Sequence, residues 1–384
     1  MLSKHERIEA AYHSDVAEAR KVYNASEVPP FYEAITPEWL SAILCRDTPG
    51  STVTAFWMDA VDDGTCNRRR LFIDYNAVGR DAGLPRTVFC KAAQGLANRL
   101  LLSASATFSE VTFYRRFRPI LTLDAPVAFH ADYNKDSWAA IVLLRDMAGE
   151  VEFCSERTRL TRASVESQLN LLASLHGPFY DDPRLKTEFA SLLPFHWRLN
   201  NMDRQHGIGV CCEEGLEAAE HLVPARLFQQ RGRVWETTLA AVNWQAGQVE
   251  TLTHSDVHLK NWYRRPDGQM GLSDWQAFGR GHWARDVAYT LGTALPVEAR
   301  RAQEQDLLHY YLDRLAAHGG PTLDYAEAFR HYRAQVLGAL AYWTLTYRPS
   351  GSMPDMQPVE TTEVFVHRLA TAADDLESLS AVDA

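Results

Sequence analysis

The spacing of hydrophobic and polar residues changes along the chain from a period typical of strands to one typical of helices. Hydrophobic residues alternate with polar ones over residues 53–59, 71–76 and 86–92, which predicts strands of an antiparallel sheet. An apolar run over residues 138–144 predicts another strand. Later hydrophobic residues recur with the helical period of 3.6, which predicts helices over 161–176, 235–243, 287–295, 299–317, 325–347 and 364–379. The pattern therefore predicts a β-rich first part and an α-rich second part.

Two helices are predicted before the first strand. Residues 5–24 are rich in Ala, Glu and Arg, and a second helix begins at Thr36 and Pro37, which suit the cap and the first turn. The buried stripe of this second helix is predicted to be Trp39, Leu40, Ile43 and Leu44. Residues 181–235 have a weaker pattern, in which only residues 217–228 are predicted to be helical.

One stretch of the α-rich part concentrates polar residues of the kind that bind metal ions. Residues 261–272 predict two short strands joined by a tight turn at residues 266–268. We expect Asp256, Asn261 and Asp274 to meet at the open ends of this hairpin. Because two carboxylates and an amide offer the oxygen ligands that Mg²⁺ prefers, the stretch predicts a magnesium site.

The spacing of these residues resembles that of known phosphotransferases. Asp256-x-x-x-x-Asn261 is similar to the catalytic loop of kinases, in which the Asp accepts the proton of the substrate hydroxyl and the Asn holds a metal. Asp274 takes the position of the second metal-binding Asp of such enzymes. His254 upstream and Asp286 downstream resemble the aminoglycoside phosphotransferase and choline kinase superfamily. The Asp-Trp-Gln sequence that begins at Asp274 is most similar to its ecdysteroid-kinase-like branch.

The resemblance assigns a phosphate-binding ion pair to the β-rich part. Lys91, at the end of an apolar strand, would bind the α- and β-phosphates of ATP, and Glu110, in a helix predicted over residues 109–117, would hold that lysine. A lysine in such a strand is otherwise an edge residue whose charge reaches solvent. Phe89 departs from the kinase pattern, which keeps a small residue two positions before the lysine.

Further nucleotide contacts are implied by the same resemblance. The turn that carries Thr65 and Asn67 lies where kinases place a glycine-rich loop, although it contains one glycine, Gly64. Phosphate contacts would therefore fall to backbone N–H groups and to Thr65 or Asn67. Leu144 and Met147 lie in a segment that resembles the hinge between lobes, where backbone groups bind the base.

The fold implied by the resemblance is α+β and two-lobed, like that of protein kinases. A small antiparallel β-sheet lobe with one helix would span residues 1–147, and a larger, mainly α-helical lobe would span residues 148–384. The resemblance itself covers roughly residues 50–345.

The implied activity is transfer of the γ-phosphoryl group of ATP to a hydroxyl of a small-molecule acceptor, with Mg²⁺ as cofactor. Asp256 would act as the catalytic base, Asn261 and Asp274 would hold Mg²⁺, and His254 and Asp286 would brace the loop. Large apolar residues in the last helical region favour a hydrophobic, steroid-like alcohol over a polycation: Trp343, Tyr347, Met353 and Met356.

Composition narrows the range of partners and compartments. The net charge is -10 and no long basic run is present, which argues against nonspecific nucleic-acid binding. No apolar run is long enough to span a membrane, and residues 1–15 lack the apolar core of a signal peptide. The six cysteines show no C-x-x-C pairing, so a reducing, cytoplasmic location is expected.

Two other functions stay open on the motifs. His254, Asp256 and His258 form H-x-D-x-H, which could bind Zn²⁺ in a metallohydrolase, but this reading leaves Lys91 and Glu110 unexplained. A catalytically silent, kinase-like binding protein would share the fold. Such a protein has no physical need for the full set of phosphoryl-transfer residues.

Overall fold

The chain forms two compact units in the computed structural model, which describes residues 2–60, 62–349, 351, 353 and 356–382, with Asp63 described by its backbone only. Unit 1 comprises the residues up to Ile120 together with Pro126–Ala148, and unit 2 comprises Leu121–Ala125 together with the residues from Gly149 onward. The short segment Leu121–Ala125, predicted within the first lobe, therefore packs with unit 2.

Unit 1 is built on an antiparallel sheet. Its strands are β1 Val53–Met58, β2 Asp62–Asp63, β3 Asn67–Tyr75, β4 Thr87–Ala92, β5 Ala128–Tyr133 and β6 Ala140–Arg145. Along the sheet the order is β1-β3-β4-β6-β5, and the short β2 pairs with β3. Lys91 on β4 lies opposite Arg68 on β3 and Val142 on β6. The predicted lysine is therefore on an interior strand, not at an edge of the sheet.

The helices described in unit 1 are α1 Lys4–Glu18, α2 Pro37–Leu44, α3 Ala77–Asp81, α4 Leu96–Leu102 and α5 Ala106–Thr112, and a π-helical turn over Phe113–Phe117 continues α5. The start of α2 is as predicted, because the Thr36 hydroxyl accepts a hydrogen bond from the Trp39 N–H at 3.1 Å and Pro37 occupies the first turn. The predicted stripe of α2 is buried in one core with sheet residues such as Leu71 and Ile73.

Unit 2 is mainly helical, with short strands around one loop. Its strands are β7 Glu152–Phe153, β8 Thr251–Thr253, β9 Trp262–Arg264, β10 Met270–Leu272 and β11 Gly279–Gly281. Its described helices are α6 Arg162–His176, α7 Phe195–His206, α8 Ile208–Ala218, α9 Ala225–Gln229, α10 Val234–Gln245, α11 Ala284–Ala294, α12 Val297–Ala317, α13 Tyr325–Tyr347 and α14 Val359–Asp375. The long α13 packs against α8, α10, α11 and α14 and forms the centre of the unit. A sheet-rich unit and a mainly helical unit confirm the predicted α+β, kinase-like fold.

Three sequence expectations differ from the structure. The first helix ends at Glu18 rather than at residue 24, because Ala19 adopts a left-handed conformation and caps it. The helix that carries Glu110 begins at Ala106 rather than at residue 109, and its second part is a π-helical turn. The helix predicted over residues 217–228 is interrupted, since α8 ends at Ala218 and α9 begins at Ala225.

Two further sequence expectations concern membrane-spanning helices and the cysteines. Among the helices that the structure describes, none combines the length and apolar character needed to cross a lipid bilayer. All six cysteines, each within the described residues, are buried thiols, and no disulfide joins them.

Candidate active site

The predicted catalytic loop connects two short strands of unit 2. It begins after β8 at His254 and reaches β9 at Trp262. The predicted hairpin is present: β9 pairs with β10 in antiparallel register, and Gly268 in the turn has a φ of +83°, a conformation that a glycine adopts without strain. The loop is therefore held at both ends by β-structure.

A buried carboxylate fixes the start of this loop. Asp286 on α11 accepts hydrogen bonds from the backbone N–H of His254 at 2.7 Å and of Ser255 at 2.8 Å, and its Oδ2 lies 3.2 Å from Nε2 of His176. Burial alone would raise the pKa of Asp286, but the hydrogen bond and charge of His176, together with the His254 N–H, hold that pKa below its usual range. Nδ1 of His176 in turn lies 2.8 Å from the hydroxyl of Tyr311. The predicted bracing by Asp286 thus has a geometric basis, and His176 lies in the core.

The residue before the proposed base has a strained backbone that two arginines hold in place. Ser255 has a φ of +68°, which is unfavourable for a residue with a side chain. Its hydroxyl lies 3.0 Å from Nη2 of Arg198 and 2.9 Å from the hydroxyl of Thr253. Its carbonyl accepts from Nη2 of Arg285 at 3.2 Å. Sequence reasoning missed both arginines, because their contacts to the loop are made across long stretches of chain.

Asp256 is held by hydrogen bonds and is also partly exposed to solvent. Its side chain is 25% exposed. The Nδ2 of Asn261 donates to the backbone carbonyl of Asp256 at 2.7 Å and lies 3.5 Å from its Oδ2. The Tyr289 hydroxyl donates to Oδ1 at 3.3 Å, and Nε2 of His258 is 3.8 Å from Oδ2. The carboxylate can therefore meet a substrate while its orientation is set by the protein.

The structure brings Asn261 and the segment around Asp274 together at the ends of the hairpin. The N–H and the hydroxyl of Ser273 both donate to the Asn261 carbonyl at 2.8 Å, and Nε2 of His254 lies 2.9 Å from the Ser273 carbonyl. Asp274 follows with a φ of +59°. Its carboxylate is near enough to act electrostatically on both His254 and His258. Hydrogen bonds thus join Asp256 to Asn261 and Asn261 to Ser273, the residue before Asp274, and a shared metal site of the three stays a prediction.

One of the three ligands that a zinc site of the H-x-D-x-H type needs, His254, is not available in this loop. Nδ1 of His254 accepts from the Asp256 N–H at 3.2 Å, and its Nε2 donates to the Ser273 carbonyl, so both ring nitrogens are already used. Within the described part of the chain, no three His, Cys, Asp or Glu side chains are arranged as a metal site. Burial lowers the pKa values of His254 and His258, so both rings are neutral at neutral pH.

The predicted ion pair of unit 1 is formed. Nζ of Lys91 on β4 lies 2.6 Å from Oε1 of Glu110 on α5, and both side chains are buried. A buried ammonium is expensive unless a carboxylate compensates its charge, so each residue stabilises the other in this position. The sheet-and-helix arrangement thus presents one lysine, in a fixed orientation, on the same sheet face as Phe89.

The other predicted nucleotide contacts have structural partners of their own. Oδ1 of Asn67 accepts from the Gln94 N–H at 2.7 Å, and the Asn67 carbonyl accepts from the Tyr32 hydroxyl at 2.8 Å. The carbonyl of Thr65, in the turn between β2 and β3, accepts from Nδ2 of Asn98 at 3.0 Å. These bonds shape the turn, and the phosphate roles of Thr65 and Asn67 stay predictions.

The segment predicted to bind the base follows β6. Leu144 is buried and lies opposite Phe89 in the sheet, and Met147 is partly buried. Between them Oδ2 of Asp146 accepts from Nε of Arg70 at 2.6 Å. Burial would raise the pKa of Asp146, but this hydrogen bond holds it below its usual range. No local sequence pattern indicates the Arg70–Asp146 pair, and the base-binding roles of Leu144 and Met147 stay predictions.

The large apolar residues near the site divide into core and partly accessible groups. The buried tryptophans are Trp262, Trp275, Trp283 and Trp343. The partly buried residues of the last helical region are Tyr347, Met353 and Met356. Of these large apolar residues, only the partly buried ones can therefore contact an acceptor molecule.

Comparison with known proteins places the chain in a family. The model of the ecdysteroid kinase-like family matches residues 121–320, a little more than half of the chain. No curated protein sequence gives a significant match.

Several solved structures are similar in fold at low sequence identity. A putative aminoglycoside phosphotransferase from Ralstonia eutropha is 12% identical, with 89% of this chain and 97% of that chain covered and a TM-score of 0.49. Choline kinase LicA from Streptococcus pneumoniae is 12% identical, with 85% and 94% covered and a TM-score of 0.46. An aminoglycoside phosphotransferase from Streptomyces rimosus is 14% identical, with 77% and 94% covered and a TM-score of 0.41. On the family match, which extends over more than half of its length, this chain belongs to the ecdysteroid kinase-like family.

Proposed function

We propose that the protein is a small-molecule kinase that transfers the γ-phosphoryl group of ATP to a hydroxyl of its acceptor in an Mg²⁺-dependent reaction. Family membership indicates a small-molecule phosphotransferase. The observation that supports the proposal most strongly is the loop geometry, in which Asn261 donates to the backbone carbonyl of Asp256 at 2.7 Å while the Asp256 side chain stays 25% exposed.

Asp256 would accept the proton of the acceptor hydroxyl as the phosphoryl group is transferred. Phosphoryl transfer asks a protein mainly for positioning and for charge stabilisation. Positioning is supplied by Asp286, which holds the backbone N–H groups of His254 and Ser255, and by Tyr289, which donates to Asp256 Oδ1. These contacts keep the base in one orientation before the substrate binds.

Asn261 and Asp274 would hold Mg²⁺. The amide nitrogen of Asn261 is committed to the Asp256 carbonyl at 2.7 Å, which turns the amide so that its oxygen is the ligand atom. An amide oxygen and a carboxylate fit Mg²⁺, which takes few protein ligands and completes its shell with phosphate and water oxygens. When bound, the ion would neutralise the negative charge that develops on the phosphates.

Lys91 would bind the ATP phosphates, with Glu110 setting the position of its ammonium group. The 2.6 Å contact between the two buried side chains supports this role. Leu144 and Met147 would contribute to binding of the base. Thr65 and Asn67 would contact the phosphates, and Asn67 would do so through its backbone, because its Oδ1 already accepts from the Gln94 N–H.

The acceptor class that we propose is a hydrophobic, steroid-like alcohol. Among the partly buried residues of the last helical region, Tyr347, Met353 and Met356 are large and mainly apolar. Methionine side chains adapt to irregular apolar ligands, whereas a polycationic acceptor would need clustered carboxylates.

The proposal is tested by ADP formation from ATP and Mg²⁺ in the presence of a panel of hydroxylated compounds, sterols and simple polar alcohols among them. We expect Asp256→Asn to lose turnover while MgATP still raises its melting temperature. The matched control is Asp306→Asn, a substitution of a carboxylate whose side chain is 73% exposed in the same unit. Chelation of Mg²⁺ should abolish turnover in the control.

Full activity of Asp256→Asn would show that this residue is not the base. Stabilisation by MgATP without turnover of any acceptor would instead favour the catalytically silent binding protein.

A further inference from the structure

A cavity of about 80 Å³ lies in unit 2, apart from the candidate active site. Asp256, Asn261 and Asp274 are not among the residues that line it in the described part of the chain. Its main lining residues come from the segment after α6, the start of α11 and the start of α13: Tyr180, His282, Trp283, Asp324, Glu327 and His331.

Two buried histidines that share one glutamine form part of the lining. Nε2 of Gln245 lies 3.2 Å from Nδ1 of His282 and 3.5 Å from Nδ1 of His331, and the two rings are 4.3 Å apart. The backbone N–H of Ala284 also donates to Nδ1 of His282 at 3.2 Å. A backbone nitrogen can only donate, so Nδ1 of His282 is the acceptor and the ring proton lies on Nε2.

Among the residues that the structure describes, the hydrogen bonds of His282 are made through Nδ1, and none accepts from its Nε2–H. Only 6% of the residue is exposed. Burial lowers the pKa of His282 far below its usual range and that of His331 to about 4, so both rings are neutral at neutral pH. A nine-tenths buried donor beside a cavity calls for an acceptor atom on whatever occupies that cavity.

The lining carries negative charge and aromatic surface. Asp324 and Glu327 are exposed at the edge, and Oε1 of Glu327 lies 4.0 Å from Nε2 of His331. No lysine or arginine is among the lining residues of the described chain. Tyr180 and Trp283 add aromatic rings to the lining, although one face of Trp283 is stacked on Tyr311. The face of an aromatic ring attracts cations. The surroundings therefore favour a positively charged ligand over an anion.

We propose that this cavity binds a small organic ammonium compound that also carries a hydroxyl or carbonyl oxygen. The ammonium group would lie near Glu327 and the aromatic rings, and the oxygen would accept the hydrogen bond from Nε2 of His282. A cavity of this size holds only about five to eight non-hydrogen atoms. The proposal concerns a site separate from phosphoryl transfer, so its test does not depend on catalysis.

The test is a calorimetric titration of the full-length protein with ethanolamine hydrochloride at neutral pH and constant ionic strength. We expect saturable binding with a Kd on the order of millimolar, as suits a ligand of about four non-hydrogen atoms. Ethylene glycol, which lacks the ammonium group, and ethylammonium, which lacks the oxygen, should each bind at least about tenfold more weakly. Equal binding of either analogue would overturn the proposal, as would the absence of saturable ethanolamine binding.

Two substitutions of glutamates test whether ethanolamine binds in this cavity. Glu327→Gln should weaken ethanolamine binding at least about tenfold, because it removes one carboxylate of a single ammonium site. The control Glu298→Gln changes a side chain that is 82% exposed and should have no effect. Asp324 is left unchanged, because its side chain caps α13 through the Glu327 N–H at 3.0 Å.

The variant Asp256→Asn distinguishes the cavity from the candidate active site. Binding that survives Asp256→Asn and is lost in Glu327→Gln supports the cavity. Binding that is lost in Asp256→Asn, or that Glu327→Gln leaves intact, would show that the ligand binds elsewhere.

Discussion

The substitution Asp286→Asn tests whether the buried carboxylate on α11 holds the catalytic loop. The Asp286 side chain is 0% exposed and accepts hydrogen bonds from the His254 and Ser255 N–H groups at 2.7 and 2.8 Å. The amide of the variant has nearly the same shape but only one acceptor oxygen. At least one of the two backbone N–H groups would then face an amide NH₂ instead of an oxygen.

The magnitude follows from these contacts. Leaving one buried N–H without an acceptor costs about 1–3 kcal/mol, and weakening the remaining charge-assisted bonds adds about 1–2 kcal/mol. We therefore expect Asp286→Asn to lower the free energy of unfolding of unit 2 by about 2–5 kcal/mol, which overlaps the range of about 3–5 kcal/mol found when one partner of a buried charge pair is removed.

The pH dependence supplies an independent check. The pKa of Asp286 is held below its usual range, with His176 as the main stabilising partner. A carboxyl group with a depressed pKa stabilises the fold above its unfolded pKa of about 3.9, and this contribution is lost as the pH falls through the folded pKa. The difference in stability between the natural protein and Asp286→Asn should therefore be largest at neutral pH and shrink below about pH 4.

Urea denaturation followed by far-UV circular dichroism, repeated across this pH range, measures the effect. The exposed variant Asp306→Asn serves as the control, because its carboxylate is 73% exposed and is remote from the loop in sequence. A loss below about 1 kcal/mol, or a loss that does not change with acid, would refute the assignment of Asp286 as the carboxylate that holds the loop.

Three further predictions concern the strained serine, the ion pair and a buried histidine. In urea denaturation, Ser255→Gly should be less stable than the natural protein by about 1 kcal/mol, because the loss of the hydroxyl that accepts from Arg198 outweighs the relief of the φ of +68°. Ser255→Ala should be less stable than Ser255→Gly by about a further 1 kcal/mol, because alanine loses the same hydroxyl and keeps the strained φ. Either single variant Lys91→Met or Glu110→Gln should destabilise by about 3–5 kcal/mol, and the double variant by less than their sum, giving a coupling of at least about 1 kcal/mol in a double-mutant cycle. Additive losses would show that the 2.6 Å contact is not an energetic pair. His331 has a pKa lowered to about 4, so the unfolded chain binds a proton that the folded chain does not between about pH 6.5 and 4. Stability should therefore fall as the pH drops from about 7 to 5, and His331→Phe should remove about 1–2 kcal/mol of that fall, as measured by denaturation at both pH values.

Elements whose stability is decided locally could be predicted from the sequence. The bounds predicted for α13, residues 325–347, are those of the structure, because the helical period is sustained over 23 residues and Asp324 caps the first turn. The start of α2 was predictable for a similar reason, since Thr36 and Pro37 are a specific start signal. In these cases the pattern needs no knowledge of distant contacts.

Elements whose buried face includes charged residues could not be predicted in this way. The buried residues of α7 are Phe195, Arg198 and Leu199, so one of three core positions is an arginine and the hydrophobic pattern is weak. Arg198 donates to Ser255 and to the Ala277 carbonyl, which lie 57 and 79 residues further along the chain. Only the folded structure shows these partners.

The residues of the candidate site likewise fall into those that local sequence predicts and those that depend on distant contacts. Asp256, Asn261 and Asp274 could be found because a short loop and hairpin fix their relative positions. Lys91 and Glu110 could be paired from the order of strand and helix, although the helix begins earlier than predicted. The Arg70–Asp146 pair and the left-handed Ser255 have no local signal, because tertiary packing decides both.

The proposed role of Asp256 is to direct the γ-phosphoryl group of ATP onto a hydroxyl oxygen of a small molecule. It is tested most directly by following radioactive phosphate from γ-labelled ATP into a hydroxylated sterol and locating the new phosphate ester by phosphorus NMR. We expect a labelled monoester at one hydroxyl that forms only with Mg²⁺ and is absent with Asp256→Asn. A labelled ester formed equally well by Asp256→Asn, or label that appears only as inorganic phosphate, would contradict it.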